Sequence, residues 1–250
     1  MNSAARLLNL YDALVAIGND APMTSIWAGI LELDAQSPSI EDDATACLMA
    51  LRSEIDLVSA KLSAVGVPLD LTNPGFPRLR STASPTYLNQ SWNGIKGNIQ
   101  SPECRHAFMW SAWVLRDDED DDMQVSDKAE LLAALDEFEG SLAQSELSPY
   151  LRDFVQRQVI TIRHALRASK IQGVKPLREA MRKLAGDIKI EDAKFRDAAA
   201  TTPAEGKRAL TAMADVVDKA AKICDGVEKV GKFAYRVGGV VADLVKMLPQ

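Results

Sequence analysis

The sequence predicts an all-α protein, a bundle of roughly eight to ten helices that ends in a long amphipathic helix with a heptad pattern. Apolar residues recur three and four residues apart along almost the whole chain, whereas the alternating Val, Ile and Thr runs typical of strands do not occur. The chain has 250 residues, 47% of them hydrophobic. That is enough to bury a sizeable core, and it excludes a chain that is disordered throughout.

The first part of the chain predicts three helices and a connector. Residues 3–17 carry apolar side chains at helical spacing, and Thr24 is expected to cap the second helix. A third helix is expected over 39–65, because its apolar spacing is helical and Gly66 follows it. Three prolines and a glycine in 67–84 predict an irregular connector.

The middle of the chain predicts two short helices, an acidic loop and a longer helix. The short helices are expected over 86–99 and 102–115, and the longer one over 126–142. Between them, at 117–122, six acidic residues follow one another directly. Adjacent like charges repel, so we expect a solvated loop there.

Three further helices are expected in the last part of the chain. Ser148 and Pro149 predict a helix start, since proline suits the first turn, and the apolar face of this helix continues to residue 168. Gly173 separates it from a helix over 177–188, and the last helix begins after Pro203.

The C-terminal helix carries the most regular pattern of the sequence. From Met213 an apolar residue recurs in alternating steps of three and four, which favours coiled-coil-like packing along one seam. The seam positions, with Phe233 beside them, form the predicted partner or membrane helix: Met213, Val216, Ala220, Ile223, Val227, Val230, Phe233, Ala234, Val237, Val241, Leu244 and Leu248. The opposite, basic face carries Lys222, Lys229, Lys232, Arg236 and Lys246.

The apolar face widens towards the C-terminus, and several glycines interrupt it. A wide face suits burial among several helices or contact with a lipid interface, and glycines permit close helix approach. Three interpretations stay open: a helix of the core, a self-association helix, and a membrane-contact helix. We expect a helical body over 1–202, with an internal boundary at 67–84 or 117–125, and a C-terminal amphipathic segment over 203–250.

Charge is distributed unevenly along the chain. Residues 1–150 hold 9 Lys and Arg against 23 Asp and Glu, a net charge of −14, whereas residues 151–250 hold 20 against 12, a net charge of +8. Such a split indicates either modules with different partners or halves that attract one another. Nucleic-acid binding by 152–196 is less favoured, because only two aromatic residues lie within this basic stretch.

The sequence predicts no metal site and no cofactor. Three well-separated cysteines do not form a disulfide framework, which favours a reducing cytoplasm, with a peripheral position at the inner membrane as the alternative. No paired Cys or His motif suits zinc, and no glycine-rich loop suits phosphate. The tryptophans of the acidic half are expected to pack a core: Trp27, Trp92, Trp110 and Trp113.

One enzymatic pattern is present in the basic half. Arg157 is followed seven residues later by His164 on a predicted helix. This resembles the motif of HEPN ribonucleases, which are small all-helical dimers, although Gln158 replaces the usual Asn, Asp or His after the Arg. The resemblance implies that Arg157 stabilises the scissile phosphate and that His164 serves in acid–base chemistry.

These patterns favour a non-enzymatic helical interaction protein. Its C-terminal amphipathic helix is expected to act in self-association, in docking to a protein partner or in conditional contact with an anionic membrane surface. In its sharpest form, an acidic body holds the basic helix until a trigger releases it, as in a bacterial toxin or defence effector. The alternative is a HEPN-like ribonuclease using Arg157 and His164.

Overall fold

A computed structural model describes residues 1–118 and 120–225, and every regular element within them is helical. The all-helical prediction is thus confirmed, and no strand forms in this part of the chain. Ten α-helices lie within the described residues: α1 (Ser3–Val15), α2 (Met23–Leu31), α3 (Ile40–Ala64), α4 (Phe76–Thr82), α5 (Trp92–Ile95), α6 (Pro102–Val114), α7 (Val125–Gln144), α8 (Pro149–Gln172), α9 (Lys175–Ala200) and α10 (Ala204–Asp225). Short 3₁₀ turns accompany them at Leu69–Leu71, Pro85–Tyr87 and Lys96–Asn98.

The chain divides into two compact units. Unit 1 comprises Met1–Asp122 and Arg167–Gly173, and unit 2 comprises Met123–Leu166 and Val174–Gln250. Helices α1 to α6 belong to unit 1, α7, α9 and α10 belong to unit 2, and α8 contributes residues to both. The division into 1–202 and 203–250 stays a prediction.

The core of unit 1 is built around buried aromatic side chains. Trp27 and Trp92 are buried, as the sequence predicts, and Phe108 of α6 is completely enclosed. Its ring lies 5.1 Å from the rings of Tyr11 and Phe76, so α1, α4 and α6 meet at one aromatic cluster. Aromatic rings bury large apolar areas, so this cluster fixes the inner face of α6.

The core of unit 2 lies where α10 packs against α7 and α9. Leu131, Leu135 and Phe138 of α7 are buried one turn apart, as an amphipathic helix requires. Helix α8 begins where predicted, because the backbone N–H of Leu151 donates to Ser148 Oγ at 3.3 Å. This side-chain cap explains why a local dipeptide marked the helix start.

Two predicted helix boundaries differ from the structure. Thr24 does not cap α2, because the helix begins at Met23 and the Thr24 hydroxyl donates to the carbonyl oxygen of Leu88 at 2.9 Å. The predicted helix over 86–99 is also wrong in its extent: only α5 and two 3₁₀ turns form there. Helix α3 ends as predicted, with Gly66 in the left-handed region at φ 80°.

Candidate functional site

The first part of the C-terminal seam lies in the core of unit 2. Met213, Val216 and Ala220 are buried, and Ile223 is partly buried against the same cluster. The neighbouring row is buried as well, through Val217 and other small side chains of α10. The described part of α10 therefore buries a wide apolar face in the core of unit 2, and its seam positions are covered by other residues of that unit.

The later seam positions lie outside the described residues: Val227, Val230, Phe233, Ala234, Val237, Val241, Leu244 and Leu248. The same holds for Lys229, Lys232, Arg236 and Lys246 of the basic face. The description of α10 ends at Asp225, so the long amphipathic helix stays a prediction beyond that residue.

Lys222 is the one residue of the predicted basic face that lies in the described part of the chain. Its ammonium group is exposed and lies 2.7 Å from the carboxylate of Asp218, one turn earlier on α10. The hydrogen bond with Asp218 raises the pKa of Lys222. A cleft of about 180 Å³ beside this pair is lined by both acidic and basic residues of α7 and α10, so it presents no single sign of charge.

Arg157, the proposed phosphate-stabilising residue, is held by two carboxylates. Its guanidinium lies 3.1 Å from Asp153 and 3.6 Å from Glu191. Glu191 also accepts a hydrogen bond from the Tyr150 hydroxyl at 2.7 Å. Partial burial, and then this bond to a carboxylate, raise the pKa of Tyr150 to about 12. A phosphate would therefore compete with two carboxylates for Arg157.

His164 lies exposed on the same helix as Arg157. Seven residues on an α-helix correspond to two turns, so the two side chains share one side of α8 about 10 Å apart along its axis. Gln158, which departs from the HEPN motif, is buried and donates to Asp187 at 3.0 Å. The ribonuclease hypothesis stays a prediction.

Unit 1 contains an ionic cluster that sequence reasoning did not find. Arg6 is only 4% exposed, and its guanidinium donates to Asp120 at 2.9 Å, to Asp122 at 3.0 Å and to the carbonyl oxygen of Ile171 at 3.0 Å. It also lies 3.6 Å from Glu54, which is 2% exposed. A buried guanidinium with this many acceptors orders all the segments that it touches.

This cluster corrects the prediction that the acidic run at 117–122 is a solvated loop. The described residues of the run, 117–118 and 120–122, form no helix, as predicted, but they are not merely solvated. Arg6 holds Asp120 and Asp122, and Lys61 holds Asp118 at 2.7 Å. Local repulsion predicted an open loop, whereas cations distant in sequence neutralise alternate members of the run and fix it to unit 1.

Gly173 marks a second contact with the acidic loop. It ends α8 with φ at 63°, and a β-carbon there would overlap the backbone carbonyl oxygen of Asp121. We expect Gly173→Ala to lower the free energy of unfolding by about 1–3 kcal/mol, because alanine is strained in this conformation. Gly29→Ala is the matched control, since nothing lies near a β-carbon there.

Tryptophan fluorescence in a urea titration checks this prediction, since all four tryptophans belong to unit 1. Gly29→Ala, inside α2, is expected to leave the midpoint unchanged or to raise it. Equal midpoints for Gly173→Ala and the wild type would show that the loop moves aside without cost.

The expectation that all tryptophans pack a core is wrong for two of them. Trp110 and Trp113 are 59% and 58% exposed on the outer side of α6, with their rings 5.6 Å apart in an edge-to-face arrangement. The inner side of α6 is already filled by Phe108 and smaller residues, so the tryptophans face outwards. Residue type alone did not show which side of α6 is buried.

Trp110 lines a cavity of about 210 Å³ in unit 1. Its other walls are the end of α3, with Leu62 and Val65, and the following loop, with Leu71. Of the eleven large hydrophobic side chains exposed in the described part of the chain, six lie around this cavity or on the adjoining turns of the same segments. We call these six the tryptophan surface: Val65, Leu69, Leu71, Met109, Trp110 and Trp113.

Two searches of the described residues concern metals and membranes. Across 1–118 and 120–225, no group of three or more His, Cys, Asp or Glu side chains is placed to hold a metal ion. In the same residues, none of the helices combines the length and the apolar character needed to cross a bilayer.

Comparison with known proteins identifies no relative. No family model, no curated protein and no solved structure matches the chain. Its function is therefore inferred from its own residues and their geometry.

Proposed function

We propose that this chain is a non-enzymatic helical interaction protein that acts through its C-terminal amphipathic helix, within the segment 203–250. One observation carries the proposal: in the sequence, the apolar seam continues beyond the part of α10 that the structure describes. Within the described part of α10 the core residues extend to Cys224, and in the sequence the same three-and-four spacing continues from Val227 to Leu248. Apolar residues in a repeating pattern indicate a surface that is buried against something.

The chemistry of this segment favours an acidic contact. Residues 226–250 hold four Lys and Arg against two Asp and Glu, a net charge of +2. Basic residues beside a wide apolar face are typical of helices that bind anionic lipid, and of helices that bind acidic protein surfaces. Self-association, a protein partner and an anionic membrane are the three modes that this chemistry supports.

Two substitutions in the full chain test the proposal. Val237→Asp and Val241→Asp place a carboxylate on the seam, and Val125→Asp is the matched control, because Val125 is 84% exposed at the start of α7. Sedimentation velocity measures self-association, and co-sedimentation with phosphatidylglycerol or phosphatidylcholine vesicles measures lipid binding. We expect the wild type to associate in one of these assays and each seam variant to lose at least about tenfold in affinity, because a buried charge opposes apolar contact.

The outcomes separate the alternatives. A monomeric wild type that stays in the supernatant with both vesicles contradicts self-association and membrane contact. A seam variant that unfolds at a lower urea concentration than the wild type also contradicts the proposal, because this result would show that residues 226–250 belong to the folded core. His164→Ala with RNA as substrate tests the ribonuclease alternative, in which this single change abolishes cleavage.

A further inference from the structure

The tryptophan surface is an exposed apolar patch of the kind that proteins keep for binding. Two neighbouring tryptophans expose more than half of their surface in water, although a soluble chain gains by burying such rings. Tryptophan is also the residue most enriched among those that dominate binding energy at interfaces. The two rings contact each other, and Arg116 lies over Trp113, yet both side chains stay more than half exposed among the described residues.

The shape of the site suits a helix rather than a small molecule. Its cavity of about 210 Å³ is smaller than the roughly 300 Å³ at which small-molecule pockets begin, and it is open. One wall is formed by residues of α6 between 107 and 114, at the edge between its buried and exposed sides, and the other by residues between 62 and 72. A groove with apolar walls accepts the apolar stripe of an amphipathic helix, with side chains three and four residues apart as anchors.

Exposed Asp70 and the negative net charge of unit 1 favour a basic partner, although one further carboxylate at this surface, Asp117, already pairs with Arg116. Asp117, which follows α6 by three residues, is 89% exposed, and its distance to the guanidinium of Arg116 is 3.9 Å. Asp70 lies exposed between Leu69 and Leu71. Unit 1 as a whole holds 10 Lys and Arg against 17 Asp and Glu, a formal charge of −7.

The aromatic rings add to this preference. The guanidinium of Arg116 lies 4.6 Å from the centre of the Trp113 ring, which shows that a cation is accommodated on that face. The faces of aromatic rings are electron-rich, so Trp110 offers a similar position for a cation. Carboxylates and ring faces together attract lysine or arginine.

We propose that the tryptophan surface of unit 1 is the docking site for a basic amphipathic helix of a protein partner. The partner's apolar stripe lies against Trp110, Leu71 and Val65, and its flanking cations lie near Asp117 and Asp70. An anionic bilayer is disfavoured, because the same carboxylates repel it. A second copy of unit 1 is disfavoured for the same reason, since two surfaces of net negative charge would meet.

Fluorescence anisotropy with labelled peptides tests this proposal on the full chain. The probe is a helical peptide with Leu at seam positions and Lys elsewhere. We call this probe the Leu–Lys helix. Two control peptides are matched to it: the Leu–Glu helix has Glu at every Lys position, and the scrambled peptide has the same Leu and Lys residues in a different order. We expect the Leu–Lys helix to bind, the Leu–Glu helix to bind at least about tenfold more weakly, and the scrambled peptide to lose binding, because attraction needs both the charge and the stripe.

Protein variants locate the site. Trp110→Ala and Trp113→Ala are each expected to raise the Kd of the Leu–Lys helix about tenfold or more. Asp117→Asn is expected to raise it by a smaller factor and to weaken its salt dependence. The control is Met49→Ala: Met49 is exposed on the same unit and lies about 24 Å from Val65 along α3.

Several results would overturn the proposal. Equal affinities for the Leu–Lys and Leu–Glu helices would show that the partner need not be basic. An unchanged affinity in both tryptophan variants would show that the peptide does not bind at the tryptophan surface. Co-sedimentation with phosphatidylglycerol vesicles that is lost in Trp113→Ala would assign the surface to lipid instead. Dimerisation that is lost in the same variant would assign it to a second copy.

Discussion

Replacing Arg6 with methionine is expected to lower the free energy of unfolding of unit 1 by about 3–5 kcal/mol, as for other buried ion pairs that lose one partner. The reason is that Glu54, which is 2% exposed, would lose the guanidinium that lies 3.6 Å away. The carbonyl oxygen of Ile171 would lose its donor as well. Methionine retains most of the apolar stem, so the loss reports the charge rather than the packing.

Urea unfolding followed by tryptophan fluorescence measures this effect in unit 1. Arg80→Met is the control, because Arg80 and Asp56 form an exposed pair that is expected to contribute little. Adding Glu54→Gln to Arg6→Met is expected to restore part of the loss, since it removes the buried charge. An unfolding midpoint equal to the wild type in Arg6→Met would show that the cluster does not stabilise the unit.

Val216→Asp is expected to have the largest effect in unit 2, with a loss of more than about 4 kcal/mol, because a carboxylate would be buried without a partner. Val216 is 1% exposed and belongs to the core in which α10 packs on α7 and α9. Far-ultraviolet circular dichroism in a urea titration measures the loss of helix. The same substitution at exposed Val125 is expected to leave the midpoint nearly unchanged.

A result in which Val216→Asp unfolds no more easily than Val125→Asp would contradict the assignment of α10 to the core. The position of α10 also decides where the chain can be shortened without loss of the fold. A chain that ends at Thr202 lacks all of α10 and its core contacts, so a loss of binding in it would not separate folding from function.

The helices that the sequence predicted well are those with local signals at their ends. Gly66 ends α3, and Ser148 with Pro149 starts α8, because caps depend on neighbouring residues alone. The prolines of 67–84 predict a connector, yet α4 forms there, because Pro77 lies in its first turn, where proline is tolerated. Helix α9 continues well past residue 188, where only Phe195 and a few small side chains mark its buried face.

The candidate sites depended on contacts that no local pattern reveals. Arg6 and the acidic run are more than a hundred residues apart in sequence, so their pairing was not accessible to spacing arguments. The exposure of Trp110 and Trp113 was missed because large aromatic residues are more often buried, and which face of α6 is covered depends on the rest of unit 1. The tryptophan surface and the ionic cluster therefore follow from tertiary structure, whereas the C-terminal seam follows from sequence.

The most direct measurement compares the full chain with a chain that ends at Asp225, in urea unfolding and in the association assays described for the seam variants. We expect the two chains to unfold at the same midpoint, and only the full chain to associate, because we assign the part of the seam that follows Cys224, the last described core residue, to association. A truncated chain that unfolds as easily as Val216→Asp would make the missing residues part of the core. A truncated chain that still associates would place the interaction elsewhere in the molecule.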